Sequence, residues 1–131
     1  EYLASFYSSL ENVENNLLLA PLAIPLCSHP VFAKKLKNAN KRSSLWSVFD
    51  DKVKLYDLQE RIDEFKTLTE QSIQYCLVND WLALDNKNLT LQYLVDADSS
   101  PTLQKNAVNL GKLFCEHSVI EIYDFLGVKP R

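Results

Sequence analysis

The chain has 131 residues, 47% hydrophobic and 24% charged, with a net charge of −3. That is ample apolar material for one domain hiding about two-thirds of its unfolded surface, and far from the composition of disorder. Its two glycines, Gly111 and Gly127, are too few for the glycine-rich loops that bring backbone amides to a phosphate, which excludes the P-loop and the dinucleotide fingerprint. Three widely spaced cysteines, Cys27, Cys76 and Cys115, are an odd set that predicts buried thiols in a reducing cytoplasm rather than a disulfide framework. The chain opens on Glu1 rather than Met, which leaves open what precedes it.

Tyr2, Leu3, Phe6, Tyr7 and Leu10 recur at three- and four-residue steps and predict a first amphipathic helix. Asn16 to Ser28 is apolar nearly all round and carries Pro21 and Pro25, so a buried, bent element is expected there. The apolar run from Leu17 to Cys27 is about half the length that spans a bilayer, so no membrane helix is expected. Ser28 reads as the cap of the next helix, with Pro30 in its first turn and Val31, Phe32 and Leu36 facing inward. Lys37 to Ser43 lacks apolar periodicity and reads as a connector. Ser44 then caps a short helix carrying Leu45, Trp46, Val48 and Phe49.

From residue 55 to 94 the pattern changes to helix, helix and hairpin with almost no linker. Leu55, Leu58, Ile62 and Phe65 share one helical face. Thr69 reads as the N-cap of a second helix, with Leu68 stapled against Ile73, and Ile73, Cys76 and Leu77 turned to the core. Trp81-Leu82-Ala83-Leu84 and Leu89-Thr90-Leu91-Gln92-Tyr93 flank Asp85-Asn86-Lys87-Asn88, residues that tolerate left-handed angles in a tight turn. That order is the signature of a winged helix. In a DNA-reading member the second helix needs cations and amides at its exposed positions, yet here Glu70 to Asn79 holds no Lys or Arg. A protein interface is the expected use of that helix. Ser99-Ser100-Pro101 restarts a helix lined by Leu103, Ala107, Leu110 and Phe114, with Ala107 and Gly111 forming a small-residue groove. Ser118 caps a last helix that Gly127 closes. The fold expected is one mainly α domain over 1–131, compact and helical, with a winged-helix-like unit at about 55–94 and one β-hairpin.

Catalytic constellations are weak. Cys27 with His29 and Cys115 with His117 are two Cys-x-His pairs, but one intervening residue on a helix splays the side chains apart, against both zinc ligation and a nucleophile pair. Asp57 with Glu64 and Lys66 echoes the carboxylate-lysine pattern of magnesium nucleases, but the helical period commits these residues to a solvated face rather than a strand. No enzyme and no cofactor or metal is expected. The cluster Lys34, Lys35, Lys37, Lys41 and Arg42 has no acid within it and could meet nucleic-acid phosphates without reading sequence. A DNA-binding winged-helix transcriptional regulator is therefore the competing reading. Tyr75, Tyr93 and Phe125 are the aromatic candidates for partner anchors.

Two stretches carry a resemblance: Leu17-Leu18-Leu19-Ala20-Pro21-Leu22-Ala23-Ile24-Pro25-Leu26 with His29-Pro30, and Ile122-Tyr123-Asp124-Phe125-Leu126-Gly127-Val128-Lys129-Pro130. Together they resemble the middle components of prokaryotic three-component ABC ATPase conflict systems, the group that includes the middle subunit of Lamassu-type anti-phage defence. The resemblance runs from about Leu17 to Pro130, with Cys27-Ser28 departing from its more aliphatic pattern. It implies a non-catalytic cytoplasmic adaptor that joins an SMC/Rad50-like ATPase to an effector, commonly a nuclease, with possible DNA contact inside the complex.

Overall fold

The computed structural model describes residues 2–10, 15–39, 43–49, 55–94 and 104–128. Among them are eight α-helices and one two-stranded antiparallel hairpin, so the protein is mainly α. The expected helix start at Ser99 to Leu103, and the residues Lys41, Arg42, Lys129 and Pro130, lie outside the described residues.

Helix α1 (Tyr2–Ser9) buries Leu3, Phe6 and Tyr7, with Leu10 just beyond it. A 3-10 turn (Asn16–Leu19) leads directly into α2 (Ala20–Cys27). Pro21 occupies the first turn of α2, where a missing N–H is harmless, but Pro25 lies inside the helix at a cost of about 3 kcal/mol. Burial of Leu22, Ile24 and Leu26, at about 1.5–3 kcal/mol per side chain, outweighs it. Helix α3 (Pro30–Lys37) follows after a sharp bend. Its cap is His29, not Ser28: the imidazole Nδ1 accepts from the Val31 and Phe32 amides at 3.2 and 3.5 Å. Ser28 instead donates back to the Ile24 carbonyl at 2.7 Å, at the end of α2. In the short α4 (Leu45–Val48) the expected cap is present and reciprocal, with the Ser47 amide on Ser44 Oγ and the Ser44 amide on Ser47 Oγ.

Helices α5 (Leu58–Glu64) and α6 (Lys66–Val78) are separated by Phe65 alone. The expected cap at Thr69 is absent. Its amide is already spent on the Phe65 carbonyl at 2.8 Å, so α6 starts a full turn earlier and takes in Lys66. Leu68 is correspondingly a solvent-facing helix residue rather than a staple. The threonines at 67 and 69 cost only tenths of a kcal/mol in helix propensity, less than the burial of Ile62 and Cys76 on either side returns. Helix α6 ends with Asp80 in a left-handed conformation, φ 58°, which lets the Trp81 amide reach the Cys76 carbonyl.

Strands β1 (Leu82–Asp85) and β2 (Thr90–Tyr93) pair in the register Leu82↔Tyr93, Ala83↔Gln92, Leu84↔Leu91 and Asp85↔Thr90. The left-handed residue of the turn is Leu89, φ 51°, not one of Asp85 to Asn88. That conformation costs roughly 1–2 kcal/mol in a branched residue, and it aims the Leu89 carbonyl at the Leu17 amide, 2.9 Å away. Asn16 completes the attachment. Its Oδ1 accepts from the Leu91 amide at 2.7 Å and its Nδ2 donates to the Leu91 carbonyl at 3.1 Å. One buried side-chain amide thus stands where a third strand would, and the Tyr7 hydroxyl holds it by donating to the Asn16 carbonyl at 2.7 Å.

Helix α7 (Lys105–Phe114) packs along α1, with Phe6 and Phe114 in edge contact at 5.8 Å. The groove expected at Ala107 and Gly111 is the crossing point: a Cβ on Gly111 would strike the Phe6 carbonyl and Ser9 Oγ. Asn106 and Asn109 of α7 donate to the Cys27 and Leu36 carbonyls, satisfying the open ends of α2 and α3. Helix α8 (Val119–Leu126) has its expected Ser118 cap and closes at Gly127, φ 71°, with the Val128 amide on the Tyr123 carbonyl. The Tyr123 hydroxyl donates to the Leu18 carbonyl and ties α8 to the 3-10 turn.

Two substitutions test this frame. Asn16→Ala strands a buried donor and a buried acceptor on Leu91, so the urea midpoint should fall by the equivalent of about 2–4 kcal/mol. Gly111→Ala should cost about 1–3 kcal/mol in the same assay, because the Phe6 carbonyl, a backbone atom that cannot swing aside, blocks the added methyl together with Ser9 Oγ.

Candidate partner interface

Helix α6 turns Thr69 and Cys76 inward. On the opposite side Leu68, Gln71, Tyr75 and Val78 follow a 3-4-3 spacing, the repeat of a helix–helix seam. Leu68 is 45%, Tyr75 59% and Val78 82% exposed. With Thr67, Ser72 and Asn79 beside them, these positions span about 140° of helix surface at 100° per residue without one charged side chain. Lys66 and Glu70 fall outside that arc. Ordinary solvent-facing helix surface is rich in charge, so an uncharged stripe with an aromatic at its centre has the composition of an interface core. The Tyr75 ring meets Trp81 edge-on at 5.4 Å, which braces it without covering it.

The hairpin beside α6 is held at both ends. Asp85 accepts the Lys87 and Asn88 amides at 3.0 and 3.2 Å and the Asn88 side chain at 2.8 Å. The Asn88 side chain first, then the backbone amides, hold the Asp85 carboxyl below the usual carboxylate range. At the other end, Tyr93 on β2 is half-buried and packs on the core.

Phe125 belongs to a different surface. On α8 it lies 5.7 Å from Trp46 of α4, and His117 meets the same indole at 5.1 Å. Trp46 is 56% exposed and Ile120 projects from α8 nearby in sequence. Tyr75, Tyr93 and Phe125 are thus carried by three different elements, α6, β2 and α8. Leu68, Val78 and Trp46 escaped the sequence reading. The 3-4-3 step was the available signal for the first two, hidden by the wrong start assigned to α6.

Lys34, Lys35 and Lys37 occupy the last turn of α3, where cations complement the negative end of the helix dipole. Lys34 and Lys35 border a shallow depression of about 490 Å³ shared with Asn38, Ser43 and Ser47. Among the described residues no three His, Cys, Asp or Glu side chains converge as metal ligands. No disulfide joins the cysteines, and burial pushes the Cys27 thiol up to about 12, which keeps it protonated and poorly nucleophilic. Asp57, Glu64 and Lys66 lie at helix ends rather than on a strand. Among the described residues no single helix is long and apolar enough to cross a membrane.

The sequence profile of ABC-three component system Middle Component 3 matches residues 1–130. The chain belongs to this family. No curated protein and no solved structure matches it significantly. As a middle component, it has partners within a three-component system. The two stretches that carry the resemblance have local physical causes: His29-Pro30 is a cap followed by a first-turn proline, and Leu126-Gly127-Val128 is a left-handed helix stop with Val128 buried behind it.

Because the Asp85 carboxylate is stabilised in the folded turn, its contribution is complete above the usual carboxylate range and is lost as pH falls through its depressed value. In an NMR titration the Lys87 and Asn88 amide signals should move together with a midpoint below that of a free aspartate, and Asp85→Ala should abolish the transition. A midpoint at the free-aspartate value would remove the turn's carboxylate clasp.

Proposed function

We propose that this middle component is a non-catalytic adaptor that joins a coiled-coil ATPase of the SMC/Rad50 kind to an effector, commonly a nuclease. Its setting is cytoplasmic defence of the Lamassu type against phage or plasmid DNA. The observation that carries this reading is the uncharged 3-4-3 stripe of α6. A partner helix presenting its own apolar seam would pack against Leu68, Tyr75 and Val78 as in a coiled coil. An adaptor needs a second surface, and the Trp46–Phe125 patch on α4 and α8 is the site we assign to the effector, with Tyr93 as a further anchor on the hairpin. A helix that read DNA would carry several cations on its exposed face, whereas α6 carries one, Lys66, and it lies outside the stripe. This favours the adaptor over the DNA-binding regulator. Lys34, Lys35, Lys37, Lys41 and Arg42 are assigned an auxiliary role, sequence-independent contact with DNA backbone inside the assembly.

Co-purification of the three components tests the assignment. Tyr75→Ala or Leu68→Glu should weaken capture of the ATPase by about 30-fold, the effect of losing a contact worth about 2 kcal/mol, while effector capture persists. Trp46→Ala and Phe125→Ala should give the converse. Undiminished assembly with all four variants folded would refute both surfaces.

A further inference from the structure

A cleft of about 300 Å³ opens between the start of α2 and the α5–α6 bend. Leu17, Ala20 and Pro21 form one wall, while Ile62 and Ile73 form the other. At its inner side lies Thr69, 4% exposed, whose hydroxyl has no hydrogen-bond partner among the described residues. This is an expensive arrangement. A buried hydroxyl without a partner costs about 1–3 kcal/mol, and a valine of the same shape would avoid that cost. A mid-helix serine or threonine hydroxyl can bond back to the carbonyl four residues earlier, as Ser28 does to Ile24, but the Thr69 hydroxyl makes no such bond. The volume stands at the lower end of small-molecule sites, whose usual chemistry is apolar walls with a few polar groups; here Thr69 is the uncharged polar residue of the lining.

We propose that this cleft binds a neutral, compact amphiphile, a small phenol or branched alcohol free in solution, whose hydroxyl completes the hydrogen bonding of Thr69. Neutrality follows from the border, where Lys66 and Glu70 offset one another and select neither an anion nor a cation. Compactness follows from the volume, which accommodates a single ring and its substituent. The site lies on the side of α6 away from Leu68, Tyr75 and Val78, so it is separate from the stripe assigned to a partner helix. Occupancy would bridge the 3-10 turn to the α5–α6 bend.

The test pairs p-cresol with toluene, which differ by the hydroxyl alone, in NMR titrations of the whole chain. In the wild type, p-cresol should shift the Ile62 and Ile73 methyl signals and bind about tenfold more tightly than toluene, the worth of one otherwise unmade hydrogen bond. Thr69→Val should erase that preference without lowering the urea midpoint, and Thr69→Ser should retain the preference. Equal affinity of the two probes in the wild type would overturn the proposal, as would absence of binding by either. A preference that survives Thr69→Val would place the hydroxyl elsewhere. Marked destabilisation by Thr69→Val would show that the free protein already uses the threonine hydroxyl. Much tighter binding of N-acetyl-tyrosinamide than of p-cresol would make the occupant a tyrosine of a polypeptide and also overturn it.

Discussion

The amide of Asn16 pairing with both backbone groups of Leu91 is the contact on which the arrangement of this protein depends. A lone two-stranded hairpin is marginal in water, and β2 faces the body of the protein with an edge that needs partners. A third strand would supply them at the expense of several more residues. Asn16 supplies them with one side chain, since an amide carries the same donor and acceptor as a peptide group. Because Asn16 also begins the 3-10 turn that feeds α2, the hairpin is registered against a helix that is buried nearly all round. Leu17 and Leu89 repeat the link one residue further on. The strained backbone at Leu89 is the local cost of that register.

The same economy recurs wherever helices end inside the protein. Short helices leave four carbonyls each without intrahelical partners, and here side chains of other helices meet them. Asn106 and Asn109 reach the ends of α2 and α3, and Arg61 reaches the Pro25 carbonyl at 3.3 Å. Ser5 and Ser9 of α1 bond to Gln104 and Val108 across the closest helix crossing. These polar contacts sit beside a core built mainly of Leu, with Phe, Ala and a few Ile, Val, Tyr and Cys. They add specificity to packing that hydrophobicity alone would leave degenerate, because each misplacement would bury an unsatisfied group. The helix lengths are thereby matched to the positions of particular asparagines and serines.

Features with a local cause were legible in the sequence. The α1 stripe, the Ser44 and Ser118 caps, the hairpin, the Gly111 groove and the Gly127 stop all rest on residues within a turn or two of the structure they form. What was not legible depends on distant partners. Nothing around Thr69 forbids a helix start; it is the continuous packing of Ile62 and Cys76 that carries the helix through. Serine is the commoner cap, so Ser28 displaced His29 in the reading, although Arg61 and the Ile24 carbonyl claim that hydroxyl. Asn16 in an apolar run looks like an interruption until Leu91, 75 residues on, is brought beside it. On the interface, the absence of cations near Tyr75 was readable, but the exposed stripe from Leu68 to Val78 needed the correct helix start.

In this account the middle component contributes a shaped and braced surface, with α6 and the hairpin set in place before a partner arrives. Preorganisation of that kind lowers the entropic cost of association. Native-state hydrogen exchange of the isolated chain measures it most directly, at the Leu91 amide. If Asn16 grips β2 in the free protein, that amide should exchange as slowly as those of α2 and α7, through global unfolding. Exchange of Leu91 as fast as the turn amides at Lys87 and Asn88 would mean that the hairpin is loose, and would contradict the account.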